Sequence, residues 1–168
     1  PASRLDRANE ILWLEYPSQV VPAPEVPIQV EIDEDAVWFH QHSSIIHQDN
    51  GGHRWVAASG VEGIRTIRVG GLATGSENNG KLGYQLRLHF AELDEIEPGQ
   101  RIFGVTVQGQ RLLDNFDVAD RAEGCNRVEV ARLETSPDAD GTIEIAFETA
   151  GGSARKPLLC GVEIRAVE

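Results

Sequence analysis

Four of the five histidines fall in one stretch, WFHQHSSIIHQDNGGHRW (residues 38–55). His40 and His42 are two residues apart, so on a β-strand both imidazoles would lie on one face and could share a metal ion. The third ligand would be His47 or Asp49. Exposed imidazoles bonded to water are the simpler interpretation, because a metal site needs ligands that converge in space.

The second half of the same stretch has the composition of a carbohydrate-binding loop. Asp49, Asn50 and His53 supply hydrogen-bond donors and acceptors, and two adjacent glycines let the backbone turn sharply. Trp55 could stack on the apolar face of a sugar ring. The alternative is a hairpin loop in which Trp55 is the first core residue of a strand beginning RWVAAS, since large aromatics usually pack.

Acidic side chains could bind calcium, which takes about 6–8 oxygen ligands. The candidates are Glu92, Asp94, Glu95 and Glu97, and separately Asp138 and Asp140 with Asp117 or Asp120. No stretch has the ligand spacing of a dedicated calcium loop. The sequence therefore predicts no cofactor, with a structural calcium ion as the alternative.

Motifs for catalysis are missing from the sequence. It has no glycine-rich phosphate loop, no histidine-glutamate zinc motif, no serine in a nucleophile elbow and no cysteine in a catalytic setting. A carboxylate pair from distant loops would be the remaining route to catalysis. The sequence predicts a non-enzymatic module.

The net charge of −12, from 15 basic and 27 acidic residues, disfavours nucleic acid and anionic membranes as partners. No apolar run reaches the ~18–20 residues that a membrane helix needs. A length of 168 residues predicts one domain, residues 1–168. The chain begins at Pro1 and lacks methionine, so we expect a fragment of a larger protein whose signal peptide, if any, lies outside it.

Short strands with alternating apolar residues dominate the chain. In YQLRLHF the core set is Tyr84, Leu86, Leu88 and Phe90. The same period predicts inward positions at Val26, Ile28, Val30 and Ile32, at Ile143, Ile145 and Phe147, and at Cys160, Val162, Ile164 and Ala166. Weaker strands are ILWLEY, RWVAASG, RTIRVGG, RIFGVTVQG, RLLDNFDV and RVEVARLE.

About ten short strands indicate an all-β fold, an antiparallel β-sandwich of jelly-roll type. A helical turn or two is expected only near Arg4 to Glu10. Residues 1–27 are predicted to be an N-terminal strand and a proline-rich connector, because proline lacks a ladder donor. Cys160 is predicted to be a buried free thiol, with a disulfide to Cys125 as the alternative.

From YQLRLHFAE onward the order of landmarks resembles the malectin-like domain, a galactose-binding-like β-sandwich that binds carbohydrate. The landmarks are LHFAE, RIFGVTVQGQRLLDNFDV, GTIEIAFE and KPLLCGVEIRA, over roughly residues 82–166. The resemblance implies core positions at Phe90, Phe103, Val105, Phe147 and Val162. Gly109 suits the turn of a hairpin.

The resemblance also implies a binding edge. Members of the family that bind glucose-type sugars place aromatic residues directly after FAE and an acidic residue in the loop before the last strand. This chain has Asp94 and Glu95 in the first place and Arg155 in the second, so the glucan-binding residues are not kept. Asp94, Glu95 and Arg155 join the ligand-binding candidates Asp49, Asn50, His53 and Trp55 as occupants of that edge.

The function predicted from the sequence is a non-catalytic carbohydrate-binding module of a larger secreted or surface protein, extracellular or periplasmic. Its partner would be an oligo- or polysaccharide. The alternative is a protein-interaction module that docks other domains of its parent protein. A pocket with an aromatic floor would favour sugar, and a flat apolar patch would favour protein.

Overall fold

The computed structural model describes residues 4–7, 10–17, 27–47, 51–75 and 82–167. These residues form mainly β-strands, with three single-turn helical segments. The strands are β1 Arg4–Asp6, β2 Ile11–Trp13, β3 Ile28–His40, β4 Ser59–Val69, β5 Gly83–Ala91, β6 Ile102–Val107, β7 Gln110–Asp117, β8 Val128–Thr135, β9 Ile143–Thr149, β10 Leu158–Leu159 and β11 Gly161–Val167. The helical segments are the 3-10 turn Ser43–Ile45, α1 Arg54–Ala57 and α2 Val118–Arg121.

The strands form two antiparallel sheets and a separate hairpin. The larger sheet has the order β10-β4-β9-β6-β7, with β3 paired to β4, and the smaller has the order β11-β5-β8. Strands β1 and β2 pair only with each other. The predicted all-β, antiparallel β-sandwich fold is confirmed.

The core lies between the two sheets. Tyr84, Leu86, Leu88 and Phe90 all face it from β5, as their alternation predicts, and each is at most 6% exposed. Ile143, Ile145 and Phe147 face it from β9. Burying one such side chain stabilises the fold by about 1.5–3 kcal/mol. Phe103 and Phe90 meet within the core with ring centroids 5.8 Å apart.

The turn between β6 and β7 has the backbone that its residues favour. Gln108 and Gly109 have φ angles of 49° and 77°. Positive φ at both central residues is the type I′ geometry, whose twist suits a two-residue hairpin. The predicted role of Gly109 is confirmed.

Strand β3 departs from the predicted pattern. Ile28 and Val30 are half-buried, but Ile32 is 37% exposed. Four residues, 33–36, bulge out opposite Gly63 of β4, whose φ is +87°. The prediction for Ile32 was wrong because this bulge lies at the edge of the sheet, where the opposing sheet no longer covers the strand. Val26 lies outside the described residues.

Two local predictions near the N-terminal half were wrong. RWVAASG does not start as a strand: Arg54–Ala57 is one helical turn, with the backbone amides of Val56 and Ala57 donating to the His53 carbonyl. The segment Arg4–Asp6 is a strand and not a helical turn. Over only four residues, the spacing of buried apolar side chains in a helical turn cannot be distinguished from the alternation of a strand, which is why RWVAASG was predicted as a strand.

Both cysteines are free thiols, as the simpler interpretation predicted. Cys160 lies between β10 and β11 instead of within a strand, and its side chain packs partly buried against the core. Its thiol lies 3.6 Å from the Ala57 carbonyl oxygen, to which it donates. Burial raises the pKa of this thiol to about 12.

Candidate functional site

Four rings from separate parts of the chain meet on the outer face of the smaller sheet. Trp13 makes edge-on contacts with His53, Trp55 and His89, at centroid distances of 5.8, 5.3 and 5.3 Å. His53 stacks on Trp55 at 5.4 Å. We call these four residues the ring cluster.

The N-terminal hairpin, β1 with β2, holds Trp13 over this sheet. Asp6 lies 3.5 Å from Nε2 of His53, and the Arg4 guanidinium lies 4.9 Å from the centre of the Trp55 ring. In the antiparallel register Arg4 pairs with Trp13 and Asp6 with Ile11, so these residues share the inward face. Trp55 is therefore half-buried beneath the hairpin instead of being fully displayed as a platform.

His89, at the centre of the cluster, is fully buried and finds no hydrogen-bond partner for either ring nitrogen among the described residues. Desolvation lowers the pKa of His89 to about 4, against the attraction of Glu163, whose carboxylate lies 3.5 Å away. The imidazole is thus neutral at pH 7. A neutral imidazole has one donor and one acceptor; Nε2 faces the Glu163 carboxylate, and Nδ1 has no partner among the described residues.

Arg87 lies beside His89 on the same sheet face. It donates to Glu163 at 3.2 Å and to the backbone carbonyl of Gly51 at 2.9 Å. Its Nε and the Nε1 of Trp13 are buried without a hydrogen-bond partner in the described part of the chain. Two donors at this site, Arg87 Nε and Trp13 Nε1, thus have no acceptor among the described residues.

A second polar cluster lies at the loop after β5, where the resemblance in the sequence predicts a binding edge. Arg101, 1% exposed, bonds to Glu92 at 2.6 Å and to Glu62 at 3.2 Å. Asp94 lies 3.6 Å from Arg101 and 3.3 Å from Arg155. These carboxylates accept from guanidinium groups, which leaves fewer acceptors for a ligand.

The predicted site residues therefore separate into two groups. His53 and Trp55 belong to the ring cluster, and Asp94 and Arg155 form an ion pair at the other cluster. Glu95 is exposed in the loop after β5. Asp49 and Asn50 lie outside the described residues.

The predicted histidine pair does not share a strand face. His40 ends β3, whereas His42 precedes the 3-10 turn and its Nδ1 accepts from the Ser44 amide at 3.2 Å. Within the described part of the chain, no three His, Cys, Asp or Glu side chains converge on a metal position. Of the calcium candidates, Glu92 binds Arg101, and Asp117 accepts from the amides of Gly99 and Asp120.

Large apolar side chains are exposed along the free edge of β3. This strand pairs with β4 on one side and with no other described strand. Six strands face only three, so the larger sheet extends beyond the smaller one and leaves β3 uncovered. Tyr16 and Trp38, 46% and 45% exposed, have ring centroids 6.4 Å apart. Ile32 and Val37 are exposed on the same strand, but Val37 faces away from Trp38 because consecutive strand residues point to opposite faces. We call Tyr16 and Trp38 the β3 patch.

Two open clefts, of about 480 and 490 Å³, lie at the end of the sandwich that carries the β6–β7 turn, away from the ring cluster. Both border Gln108, next to the β6–β7 turn, and neither contains a residue predicted to bind ligand. The Gln108 side chain bonds three backbone groups, two carbonyls and the Glu144 amide. It therefore fixes the turn instead of facing a ligand.

Sequence reasoning missed Trp13, Tyr16 and His89 as site residues. His89 lies on the outward, polar side of YQLRLHF. A histidine at such a position is buried when another segment packs on the outer face of the sheet, as the N-terminal hairpin does here. Trp13 and Tyr16 precede the proline-rich segment, and no local pattern indicates where such a segment docks.

Comparison with known proteins identifies the relatives of the C-terminal half. Residues 76–156 match the family model described as Malectin domain. A probable leucine-rich repeat receptor-like serine/threonine-protein kinase of Arabidopsis thaliana is 33% identical over 78 residues. Those residues cover 43% of this chain and 8% of the kinase.

Solved structures share the fold over the whole chain. The extracellular domain of ANXUR1 from Arabidopsis thaliana aligns with a TM-score of 0.75 and 12% identity, covering 100% of this chain and 46% of that domain. The structure of the plant peptide RALF23 in complex with FER and LLG2 gives a TM-score of 0.70 and 15% identity, covering 98% of this chain and 46% of that chain.

This chain thus spans less than a tenth of the kinase and about half of each of these structures. No helix among the described residues has the length and apolarity to cross a bilayer. The resemblance seen in the sequence is confirmed over residues 76–156, which match the malectin domain, and the chain as a whole shares its β-sandwich fold with the ANXUR1 extracellular domain.

Proposed function

We propose that this chain is a non-catalytic recognition module of a larger extracellular or surface protein, and that it docks a polypeptide on the β3 patch. The observation that carries the proposal is the exposure of Trp38 and Tyr16 beside an unpaired strand edge. Tryptophan and tyrosine are enriched among the residues that dominate protein interfaces. A free edge can also pair with an extended peptide through backbone hydrogen bonds.

The position of the bulge limits where such a peptide would pair. Past the bulge, Val37 to His40 pair regularly with Glu62 to Ser59 of β4 on one side. Their other side is the part of the edge that can accept a new strand. Residues 33–36 of the bulge include Asp33, Glu34 and Asp35. Bulges and charges on edge strands prevent unspecific pairing, so this bulge limits which peptides can pair with the edge.

Charge indicates the chemistry of the partner. The whole chain carries a net charge of −12, whereas Glu31 and Asp35 beside the patch are already paired with Arg68 and Lys156. The net charge of the chain attracts cationic segments and repels anionic ones. We expect a partner segment that alternates apolar residues with lysine or arginine.

The likeness to the RALF23 complex with FER and LLG2 supports a polypeptide ligand, since a malectin-like fold occurs there in a complex with a peptide. Carbohydrate is the second candidate, because Trp38 and Tyr16 together could also stack on sugar rings. The predicted loop site offers less support, since the N-terminal hairpin covers Trp55.

A parallel screen tests the two classes. Phage-displayed 12-residue peptides are panned against the 168-residue chain, and the same protein is applied to a glycan array with and without calcium. We expect enrichment of basic, apolar peptides that bind the chain and fail to bind Trp38→Ser. The matched control is Val167→Ser, which changes a side chain of similar exposure on β11.

Two results would contradict the proposal. One is the absence of peptide enrichment on a sample that circular dichroism shows to be folded. The other is saturable glycan binding lost in Trp38→Ser, which would make the β3 patch a carbohydrate platform.

A further inference from the structure

The hydrogen bond that follows strand β3 shows which of its backbone groups face β4. The Gln41 amide donates to the Ala58 carbonyl oxygen at 2.7 Å, which continues the register of β3 on β4. In an antiparallel ladder, directly opposed residues alternate between pairs that exchange both hydrogen bonds and pairs that exchange none. Gln41 and Phe39 therefore direct their N–H and C=O groups toward β4. Trp38 and His40 direct theirs toward the free edge.

The opposite side of β4 gives the same alternation independently. The Gly63 amide donates to the Pro157 carbonyl oxygen at 2.8 Å, which continues the register of β10 on β4. The odd-numbered residues in this part of β4 thus bond toward β10, and the even-numbered residues bond toward β3. Val61, which lies opposite Trp38, is odd-numbered, so the backbone groups of Trp38 receive no bond from β4.

The free groups of Trp38 and His40 belong to a regular part of the edge. Neither residue has a backbone hydrogen-bond partner on that side among the described residues. The other edge of the same sheet, β7, shifts register twice against β6, and its Asn115 has a φ angle of 48°. Such bulges keep an edge from pairing further. The register of β3 has no shift between Val37 and His40, so this end of the strand can accept another strand.

Contacts with the rest of the sandwich hold this part of β3 in place. The Phe39 ring packs across Gly60, where an added methyl group would lie 2.7 Å from it. The bulge of β3 is tied to the loop before β10 by Lys156, whose amine lies 3.1 Å from the Asp33 carboxylate. The Lys156 carbonyl in turn accepts from the buried Arg101 guanidinium at 2.5 Å. An edge that is fixed in advance costs little to order when a partner binds.

We propose that a polypeptide partner binds here as one added β-strand, through the N–H and C=O groups of Trp38 and His40. This mode of binding rests on the polypeptide docking proposed above and adds its backbone register. An added strand of either direction donates to the Trp38 and His40 carbonyls, so it needs two free backbone N–H groups two residues apart. The partner is therefore an extended segment without proline at these two positions, and the net charge of −12 favours lysine and arginine in it.

One matched pair of variants separates this backbone role from that of the side chain. His40→Pro removes the outward N–H and leaves the bonds to β4 intact, because proline is tolerated where its nitrogen faces away from the ladder. His40→Ala removes the same side chain and keeps the N–H. The probe is the 12-residue peptide most enriched by panning on the unmodified chain, titrated by calorimetry after circular dichroism shows both variants to be folded. We expect His40→Pro to bind it roughly tenfold or more weakly than His40→Ala.

Methylation of the peptide backbone gives a second measurement that alters nothing in the protein. Each amide nitrogen of the same peptide is methylated in turn. Methylation should weaken binding roughly tenfold or more at two positions two residues apart, and leave it nearly unchanged at the position between them. This spacing identifies a strand, because alternate amides of a strand point to opposite sides. Loss of binding at consecutive positions, or at none, overturns strand addition.

Amide exchange tests the edge without any ligand. In deuterium oxide, the Trp38 and His40 amides of the unmodified chain should exchange roughly tenfold or more faster than those of Val37 and Phe39, as followed by NMR. Equally slow exchange would mean that another part of the chain occupies the edge, and would overturn the proposal.

The outcomes separate strand addition from the docking on which it rests. Weaker binding by His40→Pro, together with the two-residue spacing of sensitive amides, supports both. Binding that is lost in Trp38→Ser but equal in the two His40 variants overturns strand addition and keeps the docking surface. Failure to enrich any peptide overturns both.

Discussion

Acid should destabilise this protein through His89. Burial lowers the pKa of His89 to about 4 from its usual 6.5. Between these pH values the unfolded chain binds a proton that the folded protein does not, so the free energy of unfolding falls as the pH drops through this window. From pH 7.5 to pH 4.5 the loss attributable to His89 is about 2–3 kcal/mol. Above pH 6.5 the stability is fully present.

The variant His89→Phe isolates this contribution. Phenylalanine keeps a ring against Trp13 and does not titrate, and it removes two buried nitrogens that lack partners. Urea unfolding followed by circular dichroism at pH 7.5 and 4.5 gives the free energy of unfolding for both proteins. The unmodified protein should lose about 2–3 kcal/mol more than the variant over this interval.

Glu163 adds a contribution of the same sign at lower pH. Burial opposes its ionisation, but the hydrogen bond from Arg165 and the charge of Arg87 hold the pKa of Glu163 below its ordinary 4.5. That contribution is present above pH 4.5 and is lost as the pH falls further. Its larger causes, Arg165 and Arg87, are common to both proteins, and only the smaller effect of the His89 charge is removed in the variant. Equal acid sensitivity of the two proteins between pH 7.5 and 4.5 would refute the reasoning about His89.

Three further outcomes follow from packing and charge. Arg101→Met leaves Glu92 buried without its partner, 2.6 Å away in the structure, and should cost about 3–5 kcal/mol in urea unfolding; a cost below 1 kcal/mol would contradict this. Gly60→Ala places a methyl group 2.3 Å from a backbone carbonyl oxygen and should cost about 1–3 kcal/mol, whereas Gly151→Ala, which meets nothing within 4 Å, should cost little; equal thermal midpoints would refute the packing. The pKa of the Cys160 thiol is about 12, so iodoacetamide at pH 8 should modify this cysteine only in urea. Intact mass measures the modification, and rapid modification of Cys160 in the folded protein would contradict the raised pKa.

The sequence predicted the parts of the fold that depend on local alternation. Leu86 and Leu88 of β5 are buried as predicted because one sheet face meets the other along the whole strand. Ile32 obeyed the same local pattern and is exposed, since β3 lies at an edge that the smaller sheet does not cover. Periodicity reports which face of a strand is apolar, and the extent of the opposing layer decides whether that face is buried.

The site was predicted less well because its contacts are between residues distant in sequence. His53 and Trp55 were selected for their chemistry, yet Trp13, some forty residues earlier, decides how far they are exposed. Asp94 and Arg155 were placed together by the family resemblance, and they do form an ion pair. No local pattern indicates that Arg101 pairs with both the buried Glu92 and the exposed Asp94 at this edge.

The most direct test of the polypeptide-docking account compares the two edges of the sandwich with one ligand. A peptide enriched by panning is titrated against the unmodified chain, Trp38→Ser and Asp94→Asn by calorimetry. The account predicts that Trp38→Ser weakens binding roughly tenfold or more and that Asp94→Asn leaves it unchanged. Weaker binding by Asp94→Asn with Trp38→Ser unaffected would contradict it and return the binding site to the loop after β5.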